Sequence, residues 1–190
     1  MQTFDYLSVL LSVVVGLGMT NLLEGIGRLI SQPERYRFYW VHGVWGLFVF
    51  QYLILFWWFQ YNLSKIVVWR FDHFSLVICY AAVLYGLTVL LFPRSEAFDG
   101  DYRRYYYERR AWFMGLLVLV NVIDVLDTLA KGVEHFSDLG PNYVANTVSV
   151  TVLALLCARS ARVWLHGCTA VLALAWQTQI ILVSYGTLGS

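Results

Sequence analysis

The stretch from Ala111 to Leu129 reads AWFMGLLVLVNVIDVLDTL. It is apolar or small apart from four polar side chains, at Asn121, Asp124, Asp127 and Thr128. A helix of about 20 mostly apolar residues is long enough to cross a hydrocarbon core of about 30 Å. The stretch therefore predicts a membrane-spanning helix that carries a polar face.

The remainder of the chain contains five further stretches of this kind. The predicted spans lie at about residues 5–30, 38–61, 74–92, 111–130, 140–158 and 163–185. Of the 190 residues, 59% are hydrophobic and 13% are charged, whereas soluble domains are about 25% charged. The connections between the spans are short and leave no room for a soluble domain. We predict an all-α bundle of six transmembrane helices that forms one transmembrane domain over residues 1–190.

The distribution of basic residues predicts the orientation of the bundle. The first, third and fifth connections hold ten of the 13 lysine and arginine residues. Cytoplasmic connections are enriched in basic residues, so these three connections are expected in the cytoplasm and both termini outside. We expect a multi-pass protein of the cell inner (plasma) membrane, in contact with membrane lipid.

Two similar motifs suggest an internal repeat. The stretch Asn21–Arg28 reads NLLEGIGR and the stretch Asp124–Lys131 reads DVLDTLAK. Each has a polar residue, an acid three positions later and a base four positions after the acid, all on one helical face. One interpretation is an inverted repeat of three plus three spans. The other is that polar residues followed by a base commonly end a membrane span.

The polar faces of these two motifs are the candidate transport path. Its residues are Asn121, Asp124, Asp127 and Thr128 on the fourth helix and Asn21, Glu24 and Arg28 on the first helix. Carboxylates inside a membrane concentrate cations, and neighbouring acids can hold a proton near neutral pH. The alternative is that Asp124 and Asp127 pair with Lys131 or cap neighbouring helix ends.

These features favour a small channel or transporter for a cation or a proton that acts as a homo-oligomer. The alternative function is a non-catalytic membrane subunit or sensor that assembles with a partner protein. The chain carries no catalytic signature, so we do not expect an enzyme. The net charge of +1 provides no field that would attract nucleic acid.

A segment rich in arginine and tyrosine precedes the fourth span. Its candidate docking residues for lipid or a partner protein are Arg103, Arg104, Tyr105, Arg109 and Arg110. Next to a membrane entry, we expect the tyrosines to lie in the headgroup layer and the arginines to bind anionic lipid phosphates. A docking surface for a cytoplasmic partner is the alternative.

Two histidines suggest a third hypothesis. His42 and His166 are expected at similar depth near the cytoplasmic ends of the second and sixth spans. Two imidazoles from facing helices can ligate haem b, so these residues are candidate haem ligands of an electron-transfer subunit. Otherwise we predict no cofactor, and the three cysteines lack the spacing of a metal site.

Overall fold

The computed structural model of the protein describes residues 3–60, 71–93, 98–130, 132, 136 and 140–184. Within these ranges the chain forms six helices, each long and apolar enough to cross a membrane. They are α1 (Thr3–Ser31), α2 (Trp40–Gln60), α3 (Phe71–Leu91), α4 (Tyr102–Ala130), α5 (Gly140–Arg159) and α6 (Val163–Ser184). The prediction of an all-α bundle of six membrane-spanning helices is confirmed.

The helix ends form two opposite faces of the bundle. We call one of them the arginine face; it holds the connections after α1, α3 and α5, and most of the arginines lie at or near it. We call the other the terminal face, because α1 begins there and α6 ends there.

The six helices pack as a closed ring in the order α1, α3, α4, α5, α6, α2. The helix α2 also reaches inward and contacts α3 and α4. It has the most buried of the six spans, whereas α5 has the least buried one. The polar face of α4 is thus placed between its two ring neighbours, α3 and α5.

Aromatic side chains of α2 fill the centre of the ring. The Trp45 ring lies 5.4 Å from that of Phe48 and 5.3 Å from that of Phe113 on α4, between ring centroids. Leu84 and Leu117 beside them are fully buried. Lipid tails are as apolar as these side chains, so close van der Waals packing is what favours their association.

The two halves of the chain, α1–α3 and α4–α6, differ in their helix contacts. The helix α1 packs extensively along α3, whereas the corresponding helices of the second half, α4 and α6, pack less extensively. They meet through ring contacts of Tyr106 and Tyr107 with His166. The three-plus-three repeat stays a prediction that depends on its sequence motif.

The start of α4 differs from the prediction. The fourth span was expected to begin at about residue 111, but the helix begins at Tyr102. Asp101 caps it, because its Oδ1 accepts the backbone N–H groups of Arg103 at 2.9 Å and Arg104 at 3.1 Å. A capping carboxylate satisfies N–H groups that would otherwise lack a partner, and its charge suits the helix N-terminus. The charged segment that seemed to be a loop is therefore the first part of a longer helix.

Removing this cap is expected to destabilise the protein moderately. Asp101→Ala leaves the first N–H groups of α4 without their acceptor and should lower the free energy of unfolding by about 1 kcal/mol. This corresponds to a melting temperature lower by about 2–4 °C, measured by circular dichroism in detergent. Asp101→Asn retains an acceptor oxygen and should stay near the wild-type value. Equal losses in both variants would contradict the capping role.

Backbone hydrogen bonds join two connections at the arginine face. The N–H of Arg37 donates to the carbonyl oxygen of Gly100 at 2.8 Å, and the N–H of Tyr102 donates to that of Arg37 at 3.3 Å. Gly100 has a φ of +89°, in the left-handed region that favours glycine. A Cβ atom at this position would overlap the carbonyl oxygen of Arg35. The close approach of these connections therefore requires glycine.

Candidate functional site

The predicted polar residues of α4 lie on its inward side. Asn121, Asp127 and Thr128 are 8%, 4% and 6% exposed, and Asp124 is partly buried. By the helical rise, Asp124 lies about 9 Å before the end of α4 at the terminal face. The structure therefore places a carboxyl group inside the bundle, in the half nearer the terminal face.

Two tyrosines from neighbouring helices bind the carboxyl group of Asp124. The hydroxyl of Tyr80 on α3 donates to Oδ1 at 2.8 Å, and the hydroxyl of Tyr143 on α5 donates to Oδ2 at 2.7 Å. Hydrogen bonds to an ionised acceptor are shorter and about twice as strong as neutral ones. Both oxygens of Asp124 are thus held by hydroxyl donors from opposite sides.

The hydrogen bonds continue beyond these two tyrosines. The hydroxyl of Tyr52 on α2 lies 2.9 Å from that of Tyr80, and the hydroxyl of Thr128 lies 3.3 Å from that of Tyr143. A tyrosine has only one hydroxyl proton. Since Tyr80 and Tyr143 give theirs to Asp124, Tyr52 and Thr128 must be the donors at the outer ends. Four helices thereby contribute to one continuous chain, which we call the Asp124 network.

The Asp124 network can adapt to a protonated carboxyl group. A protonated Asp124 becomes a donor, so the tyrosine hydroxyl that faces its new proton has to turn away. The tyrosine that turns can donate to its outer neighbour, Tyr80 to Tyr52 or Tyr143 to Thr128, because both pairs are already within hydrogen-bond distance. The carboxyl group and both tyrosine hydroxyls therefore keep hydrogen-bond partners with and without the proton.

A second acid lies one helical turn nearer the terminal face. The Oδ1 atom of Asp127 is 3.5 Å from Nε2 of His73, in the first turn of α3. The side chains of His73 and Asp127 are 12% and 5% exposed. The predicted alternative partner of the two acids, Lys131, lies outside the described residues. The partners that the structure shows are tyrosines for Asp124 and a histidine for Asp127.

The candidate path residues of α1 lie in the other half of the bundle. Asn21 is buried, and its Nδ2 donates to the carbonyl oxygen of Thr88 on α3 at 2.7 Å. Glu24 and Arg28 form an intrahelical ion pair at 4.0 Å, as their spacing suggests. These three residues are therefore not neighbours of Asp124, which lies towards the opposite end of the bundle.

Two tyrosines of the arginine-rich segment are buried in the bundle rather than exposed at its surface. Tyr102 is 1% and Tyr106 is 3% exposed, and both pack inside the bundle. The reason is the helical period: they are four residues apart and share the inward face of α4. The arginines at 103, 104 and 109 lie on the exposed face, and Tyr105 and Arg110 are partly buried.

Two of the exposed arginines are the better candidates for lipid phosphate. Arg104 is engaged by Glu108 at 2.9 Å and by Asp99 at 3.3 Å. We expect the double change Arg103→Gln and Arg109→Gln to reduce the number of anionic lipids that remain bound, because each basic side chain near an anionic surface contributes about 1 kcal/mol. Native mass spectrometry in phosphatidylglycerol-containing detergent measures this number. Arg104→Gln is the matched control, and an equal loss in the control would contradict the assignment.

The two histidines have different surroundings. Nδ1 of His166 lies 2.8 Å from the hydroxyl of Tyr106, and its Nε2 lies 2.8 Å from the carbonyl oxygen of Ser160. His42 is 1% exposed and its ring lies 4.8 Å from that of Tyr102. Haem ligation by His166 would require that one of its hydrogen bonds be broken. The haem hypothesis stays a prediction.

The sequence interpretation did not identify Tyr52, Tyr80 and Tyr143 as parts of the site, and it expected His73 in an outer loop beside the acids. The first three carry a hydroxyl inside a predicted span or beside its end, and a buried hydroxyl needs a hydrogen-bond partner. That requirement was the available signal. It indicates that a partner exists but not which one, because these residues lie on α2, α3 and α5.

Comparison with models of known protein families found no match, and comparisons with characterised proteins and with solved structures found no significant similarity. In the described part of the chain, His, Cys, Asp and Glu side chains form no group of three that could hold a metal ion. The Asp124 network and its surroundings are therefore the basis of the proposed function.

Proposed function

We propose that the protein is a small membrane channel or transporter for a cation or a proton, in which Asp124 binds the transported ion. The observation that carries this proposal is the pair of hydroxyl groups, at 2.8 and 2.7 Å, that hold the carboxyl group inside a membrane-spanning bundle. Ionisable groups in spans are costly, and they mark ion and proton pathways in many membrane proteins. The proposal involves no chemical reaction.

The surroundings of Asp124 suit reversible binding. The tyrosine hydroxyls stabilise the ionised carboxylate, so it need not be occupied by a cation at all times. Their rearrangement also gives the neutral carboxyl group hydrogen-bond partners. The His73–Asp127 pair lies between Asp124 and the terminal face, where an incoming cation first meets a carboxylate.

The proposed path lies within one copy of the chain. The polar face of α4 is covered by α3 and α5 of the same chain, so no second copy is needed to form the site. Homo-oligomeric association remains part of the proposal. The outward side of α5, with Val144, Val148 and Val152 exposed, is the helix surface that its own chain covers least.

The proposed location is the cell inner membrane, with the arginine face in the cytoplasm. This orientation follows from the positive-inside rule. It places the Asp124 network nearer the outer surface and the Glu24–Arg28 pair nearer the cytoplasm.

Reconstituted flux is the test of the proposal. The full-length protein is placed in liposomes that enclose a dye sensitive to pH, to potassium or to sodium, and a gradient of the corresponding ion is imposed. We expect flux of at least one of these ions above that of protein-free liposomes. Liposomes that are tight to all three ions, with correctly folded protein present, would reject the proposal.

The second candidate function is a subunit or sensor that docks a partner protein through the arginine face. The observation that favours it is the exposure of Arg103 and Arg109 on the first turns of α4. Arginine is enriched in protein interfaces. A co-purifying polypeptide that is lost in the Arg103→Gln and Arg109→Gln double variant would support this function over transport.

A further inference from the structure

A second chain of hydrogen bonds lies in the half of the bundle nearer the arginine face. The indole N–H of Trp45 donates to the hydroxyl of Tyr106 at 3.1 Å, and that hydroxyl lies 2.8 Å from Nδ1 of His166. Nε2 of His166 lies 2.8 Å from the carbonyl oxygen of Ser160, in the connection between α5 and α6. Trp45, Tyr106 and His166 are at most 3% exposed. We call this chain the His166 network.

The two ends of the His166 network determine the direction of every hydrogen bond in it. An indole N–H can only donate and a carbonyl oxygen can only accept. Nε2 of His166 therefore carries a proton, which it donates to Ser160. In the neutral imidazole Nδ1 is then an acceptor, so Tyr106 donates its proton to Nδ1 and accepts that of Trp45. The network is fully satisfied with His166 neutral.

The helix α2 connects the two networks. Trp45 belongs to the His166 network and Tyr52 to the Asp124 network, and they lie seven residues apart on one helical face. The Phe48 ring lies between them, 5.4 Å from that of Trp45 and 5.7 Å from that of Tyr52. An apolar ring thus separates two polar networks that together extend from near the terminal face to the arginine face.

We propose that the transported species is the proton and that Tyr106 and His166 carry it through the half of the bundle nearer the arginine face. This inference rests on the function proposed above, and it names the substrate of that function. It also assigns a role to two residues that the sequence interpretation did not place on the path.

The chemistry of the His166 network distinguishes a proton from other cations. Metal cations in membrane pores need several oxygen ligands or a hydrated passage. The network offers an indole, a phenol and an imidazole, all buried, and a single carbonyl oxygen. A proton needs no ion-sized space, because it moves by exchange along hydrogen bonds.

One proton crosses the His166 network by exchange at Tyr106 and His166. A proton binds to the hydroxyl oxygen of Tyr106, and the original Tyr106 proton moves to Nδ1 of His166. The resulting imidazolium releases its Nε2 proton to water at the Ser160 carbonyl. One proton has entered and one has left, and a water-assisted shift of the remaining proton from Nδ1 to Nε2 restores the starting tautomer. The Trp45 indole can donate but not accept, so water must enter beside Phe48 to connect Tyr52 with Tyr106. This apolar layer acts as the gate.

The test compares two variants of the network with one control in proteoliposomes. His166→Gln retains an acceptor and a donor for Tyr106 and Ser160, but an amide does not take up and pass on a proton. Tyr106→Phe removes only the hydroxyl and serves if His166→Gln fails to fold. The control is His42→Gln, since among the described residues neither ring nitrogen of His42 finds a hydrogen-bond partner of ordinary geometry.

We expect wild-type liposomes to conduct protons and to remain tight to potassium and sodium. His166→Gln and Tyr106→Phe should each lower the proton flux at least about tenfold, whereas His42→Gln should retain it within about twofold. Potassium or sodium flux that depends on Asp124 would overturn the inference and leave the proposed function intact. Undiminished proton flux in both network variants would also overturn it. Wild-type liposomes that are tight to all three ions would reject the proposed function itself, and the inference with it.

Discussion

Asp124→Asn is expected to abolish ion flux in reconstituted liposomes, with a loss of at least about a hundredfold. Proton-transfer groups contribute about 10²–10⁴ to rates, and the amide neither takes up a proton nor attracts a cation. The amide N–H₂ group also faces one of the two tyrosine hydroxyls that donate to the carboxylate. Two donors then oppose each other, so that hydroxyl must turn away as it does for a protonated Asp124, but the amide cannot lose a proton and return the Asp124 network to its ionised arrangement.

Two further variants test whether the loss of flux is specific to Asp124. Asp127→Asn removes the acid of the entry pair with His73, and we expect a smaller loss of flux because Asp124 and its tyrosines remain. Asp72→Asn is the matched control, since Asp72 is an exposed acid at the same end of the bundle. Loss of the Asp72 carboxylate should leave the ion flux unchanged. Full flux in Asp124→Asn, with the protein folded and inserted, would reject Asp124 as the ion-binding group.

Gly100→Ala is expected to destabilise the fold more than any other single substitution discussed above. The backbone of Gly100 has a φ of +89°, and a new Cβ atom would overlap the Arg35 carbonyl oxygen. Left-handed strain and backbone displacement each cost about 1–3 kcal/mol. We expect the free energy of unfolding to fall by about 3 kcal/mol and the melting temperature by roughly 6–12 °C.

Gly16→Ala is the control for this substitution. Gly16 lies in α1, and a Cβ atom there meets nothing within 4 Å. Alanine is favoured over glycine in helices by about 1 kcal/mol, so this variant should be as stable as the wild type or slightly more stable. Thermal unfolding of both variants in the same detergent gives the comparison. A Gly100→Ala protein that melts with the wild type would show that the two connections do not pack as described.

Helix ends were less predictable than helix number. A run of about 20 apolar residues predicts a membrane-spanning helix, because a helix satisfies its own backbone hydrogen bonds and an unpaired backbone is too costly in lipid. The charges between 101 and 110 instead favoured a loop, yet α4 begins at Tyr102. The Asp101 carboxylate caps the helix and two tyrosines pack inward. Together they stabilise the helical conformation of this charged segment. These effects depend on neighbours that a hydropathy pattern does not include.

The sequence predicted the acids of the candidate site but not the tyrosines that donate hydrogen bonds to Asp124. Asp124 and Asp127 were identifiable because carboxylates are rare inside a span. The donor Tyr80 is 44 residues from Asp124 in the sequence, Tyr143 is 19 residues away, and Tyr52 is 28 residues from Tyr80. Such separations produce no local pattern. Only the order of the helices around the ring brings the four side chains together.

The sequence by itself determined that the chain spans the membrane six times, which end of the bundle is rich in arginine, and which carboxyl groups lie inside. Those properties follow from the polarity of each residue and its place along a helix, and both can be read locally. The tertiary structure decided that tyrosines hold Asp124, that His73 meets Asp127, and that Trp45, Tyr106 and His166 form a second network. A hydrogen bond requires two groups within about 3 Å, and between separate helices only their packing sets that distance.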